Sequence, residues 1–331
     1  MKTENLKPRL TLIAVGGTIS HIHDPQTGKS VPGLTAEDLL RRTTVADMYQ
    51  VRLIDLDERT KLLRQPDDLL HVARCIQQAV ETSDGIVVTH GTDTIEEVAY
   101  LVDETVKVTV PIVFTGAMRP PWASGYDGIR NLENAMYIAA TVSADYGTLV
   151  TLHDEIFEAW SVYKADTGAV DAFTVRRGAA RGRICGDQLT LTWRPVPRAR
   201  FEQIPLTLPT SVPILTMGVV DDGGAFGLVL SQNVQGLIVG SIAAGEVPPV
   251  AYEKLLALAK TGLPIVLCSG VNSGRTAEEY YYPKAYDELR TAGIVIEDWL
   301  SPRKARIRLM LSIGLGVPYV PFGREFLAER K

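Results

Sequence analysis

The chain has 331 residues, 46% of them hydrophobic, which is enough for a large core and is typical of two domains. Lys and Arg number 34 against 39 Asp and Glu, giving a formal net charge of −5, and the basic residues form no long run that would follow a phosphate backbone. This balance argues against a nucleic-acid partner, and the short first apolar run argues against a membrane span or a signal-peptide core.

Strand and helix patterns alternate along the first 193 residues. Strands are predicted at residues 10–15, 51–56, 85–89, 111–115 and 147–152, and helices at 66–80, 94–106 and 129–140. This alternation indicates βαβ units. We therefore expect an α/β fold whose larger N-terminal domain has a mostly parallel sheet flanked by helices.

A proline-rich segment interrupts this pattern. Residues 194–212 contain four prolines and show little periodicity, which is typical of a linker. Beyond it, strands are predicted at 212–217, 236–240, 264–269 and 293–296, and helices at 250–260, 284–292 and 303–313. The expected domains are a catalytic α/β domain over 1–193, the linker over 194–212, and a smaller α/β domain over 213–331.

Cysteine usage indicates a reducing compartment. Cys75, Cys185 and Cys268 are odd in number and far apart, with no Cys-x-x-Cys pair that would indicate zinc or redox chemistry. We expect a cytoplasmic protein.

Two glycine-containing turns carry the candidate chemistry. Gly16-Gly17-Thr18 follows the first predicted strand, and Gly91-Thr92-Asp93 follows the strand that ends at Thr89. The carboxyl ends of parallel strands form the ligand crevice of an open α/β sheet, so both hydroxyls are predicted to meet there. The capping-box spacing from Thr94 to Glu97 predicts a helix N-terminus directly after Asp93. The resulting hypothesis is that a nucleophile and a second reactive group converge on one small substrate.

Each of these residues also has an ordinary structural interpretation. A Gly-Gly-Thr turn relieves backbone strain, an aspartate before a helix is often a cap, and a lysine such as Lys164 is often surface charge. Their occurrence together favours a site. Thr27-Gly-Lys-Ser30 lacks the first glycine of a phosphate-binding loop, and His21 with His23 is an incomplete metal-ligand set, so neither nucleotide nor metal binding is expected.

Several motifs resemble those of the bacterial-type L-asparaginases over nearly the whole chain. Val15-Gly-Gly-Thr-Ile-Ser20 is similar to that family's first threonine motif, and Thr89-His-Gly-Thr-Asp-Thr94 to its second. Similar segments also occur at Phe114-Thr-Gly-Ala-Met-Arg-Pro120, Asp127-Gly-Ile-Arg-Asn-Leu132 and Ser301-Pro-Arg-Lys-Ala-Arg306.

The resemblance implies an amidohydrolase that converts L-asparagine and water into L-aspartate and ammonia, with no cofactor and no metal. It implies that Thr18 is the nucleophile that forms an acyl-enzyme. Thr92, Asp93 and Lys164 would form the second catalytic group. The backbone at Ala117 would hold the reacting amide, and Gly17 and Gly91 are assigned with it to substrate binding.

Three positions depart from the family's pattern. The family usually holds the substrate's α-carboxylate with a serine, where this chain has Lys61, which we assign to substrate binding. The flap after the first motif lacks the usual tyrosine, so either His21 or His23 replaces it or the flap is a passive lid. In the family, a neighbouring subunit contributes a glutamate to the site. An ungapped match places Tyr281 at that position in this chain, and Glu278 and Glu279 lie two to three residues before it.

Other functions remain open at this point. Lys61 also fits a glutaminase-asparaginase, or an amidase for another small carboxylate-bearing amide. An amidotransferase subunit with the same fold carries an additional N-terminal domain that is not seen before the first motif. A catalytically idle binding protein has no need of both hydroxyls and the lysine. The resemblance further implies a homo-oligomer, usually a tetramer built as a dimer of dimers.

Overall fold

The computed structural model describes residues 6–57, 60, 62–195, 198–274, 276 and 285–323. The chain forms two compact units, residues 1–204 and 205–331. The division lies within the proline-rich segment, and the boundaries of the linker itself stay a prediction.

The first unit is built on an eight-stranded sheet. Its strands are β1 (Arg9–Ala14), β4 (Gln50–Asp55), β5 (Gly85–Thr89), β6 (Ile112–Thr115), β7 (Thr148–Leu152), β8 (Glu155–Glu158), β11 (Gly182–Cys185) and β12 (Gln188–Leu191). The spatial order is β12-β11-β8-β7-β6-β5-β1-β4. Strands β7, β6, β5, β1 and β4 run parallel to one another, whereas β8, β11 and β12 extend the sheet in antiparallel pairing. The predicted, mostly parallel α/β architecture is confirmed.

Helices cover the sheet of this unit. They are α1 (Ala36–Arg41), α2 (Pro66–Val80), α3 (Ile95–Thr105) and α4 (Gly128–Thr141). Helix α2 has the predicted bounds because Pro66 starts it, a Gln65–Asp68 capping box completes its first turn, and its apolar stripe is buried. Strands β5 and β6 are buried at every residue, as is typical of central strands with helices on both faces.

Two small hairpins lie outside the main sheet. Strands β2 (His21–His23) and β3 (Ser30–Pro32) pair after the first threonine turn, and β9 (Val162–Lys164) pairs with β10 (Phe173–Val175). Sequence patterns predicted neither hairpin, because strands of three residues are too short to show an alternation.

The second unit has a four-stranded parallel sheet in the order β13-β14-β15-β16. Its strands are β13 (Ile214–Thr216), β14 (Leu237–Ser241), β15 (Ile265–Ser269) and β16 (Val295–Glu297), and its helices are α5 (Gly224–Ser231), α6 (Pro249–Ala259), α7 (Ala285–Thr291) and α8 (Pro302–Leu315). The smaller α/β domain is confirmed, although α5 was not predicted. Within the described ranges, no helix is both long enough and apolar enough to cross a lipid bilayer.

Candidate active site

The two threonine turns leave adjacent strands at the same edge of the sheet. Strands β1 and β5 are parallel, with Ala14 opposite Thr89 at their carboxyl ends. The Val15 N–H donates to the Thr89 carbonyl at 2.9 Å, which extends the pairing into the turns. The parallel register therefore starts both turns side by side.

Gly17 and Gly91 pack backbone against backbone. A Cβ built on Gly17 would lie 2.4 Å from Gly91 Cα and 2.5 Å from Gly91 N. Gly17 also has a φ of +90°, which L side chains rarely adopt. Only glycine permits this approach, and it brings the first and second threonine turns together as the sequence predicts.

Lys164 joins the second turn from strand β9. Its ammonium Nζ donates to Thr92 Oγ1 at 3.0 Å and to Asp93 Oδ1 at 2.7 Å. The lysine side chain is 14% exposed and that of Asp93 is 90% exposed, so the ion pair joins a mostly buried ammonium group to a solvent-exposed carboxylate. The three residues assigned to the second catalytic group are in direct contact, and Lys164 is not isolated surface charge.

Thr18 begins a single 3-10 turn, Thr18–Ser20, immediately after Gly17. It is partly buried, whereas Thr92 is 5% exposed. Among the described residues, the Thr18 hydroxyl has no hydrogen-bond partner. A hydroxyl held by a glycine turn and free of internal hydrogen bonds is available to attack a bound ligand.

Helix α3 follows the second turn as predicted, but the expected capping box is not formed. Thr94 is the N-cap, yet its side chain makes no capping hydrogen bond. Glu96, in the first helical turn, instead accepts a hydrogen bond from the Lys164 backbone N–H at 2.9 Å. The start of α3 is therefore used to hold strand β9, and Glu96 is a site residue that the sequence analysis did not assign.

A third turn, residues 116–118 after β6, completes the edge. A Cβ on Gly116 would lie 2.6 Å from the His90 carbonyl oxygen and 3.2 Å from Thr92 Cγ2, so this glycine permits close contact with the second turn. Ala117 follows it and is fully buried. The structure thus brings Gly17, Gly91 and Ala117 to one edge.

The side chains of His90 and Tyr126 each bond to a backbone carbonyl of a threonine turn. His90 is 1% exposed and shares a hydrogen bond with the Gly91 carbonyl through Nδ1, and burial lowers its pKa to about 4. Tyr126 donates its hydroxyl to the Ile19 carbonyl at 2.8 Å. His90 is therefore a neutral packing residue at physiological pH, and Tyr126 ties the first turn to the segment after β6.

Several predicted residues are not placed at this edge. Lys61, Glu278, Glu279 and Tyr281 lie outside the described residues, so their assigned roles stay predictions. His21 is bonded to Ser30 Oγ across the β2–β3 hairpin at 2.7 Å, and the ring of His23 packs edge-on against Trp122. In the part of the chain that the structure describes, no cluster of three or more His, Cys, Asp or Glu side chains is arranged to hold a metal ion.

Fold and site together define an α/β enzyme with two threonine turns at the carboxyl edge of its parallel strands. Comparison with known families agrees: residues 9–197 match the family model "Asparaginase, N-terminal" and residues 211–318 match "Glutaminase/Asparaginase C-terminal domain". The chain belongs to the asparaginase family.

Similar proteins cover nearly the whole chain. A probable L-asparaginase of Deinococcus radiodurans is 32% identical, over 96% of this chain and 97% of that protein. L-asparaginase 2 of Escherichia coli strain K12 is 29% identical, over 92% and 89%. The crystal structure of a probable cytoplasmic L-asparaginase from Campylobacter jejuni matches with a TM-score of 0.79 and 28% identity, over 93% of this chain and 95% of that one.

Proposed function

We propose that this chain is an amidohydrolase that converts L-asparagine and water into L-aspartate and ammonia. The observation that carries the proposal is the contact of Lys164 with Thr92 and Asp93 beside the Gly17–Gly91 approach. The family and the names of the similar proteins support the substrate.

Thr18 is the proposed nucleophile. Its Oγ1 attacks the side-chain carbonyl carbon, the hydroxyl proton passes to the leaving nitrogen, and the C–N bond breaks to release ammonia. Water then attacks the resulting ester, which frees aspartate and restores the hydroxyl. Splitting the reaction into two easier steps is the advantage of a covalent intermediate.

The second turn supplies the proton transfers. A threonine hydroxyl is a weak nucleophile and needs a base or a cation beside it. Lys164 is within hydrogen-bond distance of Thr92 Oγ1, so proton exchange between them polarises that hydroxyl. Asp93 fixes the lysine and offsets its charge, and the Ala117 backbone holds the reacting amide.

Ammonia release from L-asparagine tests the proposal, with Thr18→Ala and Thr92→Val as variants. Both substitutions remove one hydroxyl while the glycine turns stay intact. The expected result is a fall in kcat of about 10²-fold or more for each, with unfolding temperatures near that of the wild type. Wild-type rates in both folded variants would refute the mechanism, and tight binding without turnover by the wild type would favour the idle binding protein.

A glutaminase-asparaginase is the second candidate. The lysine at position 61, in place of the family's usual serine, favours it, because a longer cationic side chain reaches a carboxylate differently. Specificity constants for L-asparagine, L-glutamine and short aliphatic amides separate the candidates. A higher constant for glutamine would replace the first proposal.

We further propose a homo-oligomer, a tetramer arranged as a dimer of dimers. Helix α5 supports this: Leu228 and Leu230 are 69% and 57% exposed, while Phe226 and Val229 are its buried residues. A helix that is apolar on all sides is usually covered on all sides. Three described cysteines without disulfides and the similarity to a probable cytoplasmic relative support a cytoplasmic location, which cell fractionation tests.

A further inference from the structure

The turn after β6 contains a buried residue whose backbone groups are unused. Ala117 is fully buried, and among the described residues neither its N–H nor its carbonyl has a hydrogen-bond partner. An unpaired buried backbone group costs free energy comparable to a lost hydrogen bond. Such a pair of groups at the edge that carries Thr92 is typical of a position completed by a ligand.

Asp127 holds one side of this turn. It occupies the N-cap position of α4, yet its carboxylate makes no capping hydrogen bond to that helix. The carboxylate instead accepts from the Met118 N–H at 3.0 Å and from the Arg119 N–H at 2.9 Å. A residue type that usually caps its own helix is therefore used to hold another segment.

Asn131 holds the other side. Its Nδ2 donates to the Gly116 carbonyl at 3.0 Å and to Asp127 Oδ2 at 3.0 Å, and its Oδ1 accepts from the His153 N–H at 3.1 Å. Asn131 is 1% exposed. Because both amide donors and the oxygen are engaged, the side chain has one orientation.

These contacts determine where the Ala117 backbone groups point. The described peptide bonds are all trans, so the C=O and N–H of one peptide unit point in opposite directions. The Met118 N–H points at Asp127, and the Ala117 carbonyl therefore points away from it. The Gly116 carbonyl points at Asn131, and the Ala117 N–H points the opposite way.

We infer that Asp127 and Asn131 are positioning residues that orient the two peptide units of Ala117 toward the reacting amide. The inference rests on the proposed function, in which this backbone holds that amide. A carbonyl oxygen only accepts hydrogen bonds, so the Ala117 carbonyl pairs with an N–H of the leaving amide group. An ester leaving group has no such N–H.

The test compares an amide with an ester in Asn131→Ala, using L-asparagine and the β-methyl ester of L-aspartate. Asn134→Ala is the matched control: Asn134 is on the same helix, is 3% exposed, and donates to Asp154 Oδ1 at 2.7 Å. Asn131→Ala removes the donor to Asp127 Oδ2, and so frees the carboxylate that holds the peptide unit of the Ala117 carbonyl. It is expected to lower kcat/KM for asparagine about tenfold or more and to affect the ester much less. Asn134→Ala is expected to leave the amide-to-ester ratio unchanged.

An equal loss for both substrates in Asn131→Ala would overturn the inference, since it would show a structural role. So would a changed ratio in Asn134→Ala. If Asn131→Ala does not fold, Asp127→Asn keeps the side-chain size, removes one acceptor, and is expected to show the same selective loss. A wild type that hydrolyses neither substrate refutes the proposed function, which is a separate outcome.

Discussion

Glu96 is a buried carboxylate that anchors the backbone of Lys164. Glu96 is 4% exposed and accepts a hydrogen bond from the backbone N–H of Lys164 at 2.9 Å. The side chain of the same lysine contacts Thr92. We expect Glu96→Ala to lower kcat about tenfold or more with little change in KM, because the lysine loses its anchor. Ammonia-release kinetics measure this.

Two variants separate the effect of the hydrogen bond to the Lys164 N–H from the effect of the negative charge of Glu96. Glu96→Gln keeps an acceptor oxygen and is expected to restore most of the kcat that the alanine variant loses. Glu97→Gln, one residue further along the same helix and only partly buried, is the comparison variant. A glutamine variant at position 96 as slow as the alanine variant would show that the charge, and not the anchor, matters.

His90 predicts a pH dependence of stability. Its pKa is lowered by burial from 6.5 to about 4. Between these values the unfolded chain binds a proton that the folded chain does not, so the free energy of unfolding decreases as the pH falls from 6.5 toward 4. The loss is about 3 kcal/mol across this window, and it is absent above pH 6.5.

Urea unfolding of the wild type and of His90→Gln at a series of pH values measures the effect. The difference between the two proteins is expected to change across the window from pH 6.5 to 4 and to be constant above it. Parallel curves over the whole range would contradict a neutral buried histidine.

At the scale of elements, the contact between the β1 and β5 turns depends on glycine. Gly17→Ala places a Cβ 2.4 Å from Gly91 Cα at a φ of +90°. Gly28 is the matched control, since its φ is +66° and nothing lies within 4 Å of an added Cβ. Gly28→Ala is expected to lose about 1–2 kcal/mol from backbone strain, and Gly17→Ala is expected to lose more, because its Cβ also overlaps the Gly91 backbone.

Activity is expected to distinguish the two variants. Gly17→Ala separates the turns that carry Thr18 and Thr92 and should lower kcat/KM for asparagine about 10²-fold. Gly28→Ala should retain near wild-type kinetics. The measurements are ammonia release and thermal unfolding, and similar kinetics for both variants would show that the close approach is not required.

A buried ionic cluster attaches the segment after β12 to the end of α3. Arg198 pairs with Asp103 and, at 2.6 Å, with Glu104, and Arg200 lies 3.2 Å from Asp103. The side chains of Arg198 and Glu104 are 5% and 0% exposed. Removal of one partner leaves a buried charge without compensation, which is strongly destabilising.

Arg198→Met is therefore expected to lower the free energy of unfolding by about 3–5 kcal/mol. Arg41→Met is the control, because its pair with Glu37 is exposed and worth less than about 1 kcal/mol. Urea unfolding compares the two, and equal losses would contradict the cluster's proposed importance.

At the scale of the whole molecule, the proposed tetramer makes α5 a test site. Leu228→Glu introduces a charge on its exposed apolar side, and burying that charge in an interface is costly. Light scattering is expected to give a mass of about four chains for the wild type and a smaller mass for the variant. A wild-type monomer would refute the proposed assembly.

Local signals accounted for much of the fold. Helix α2 has the predicted bounds because proline and a capping pair mark its start, and the buried strands of both sheets show as apolar runs. Helix α5 was missed because it has no polar face, and the short hairpins because three residues carry no periodicity. The antiparallel strands β8, β11 and β12 were likewise not predicted.

The sequence by itself determined the α/β class, the two glycine turns, and the residue types at the site, since these depend on local periodicity and turn chemistry. The tertiary structure alone decided which atoms meet. Lys164 comes from a hairpin 71 residues beyond Asp93, and Asn131 contacts a carbonyl 15 residues before it. Such contacts depend on strand order and on close backbone packing, which no local pattern encodes.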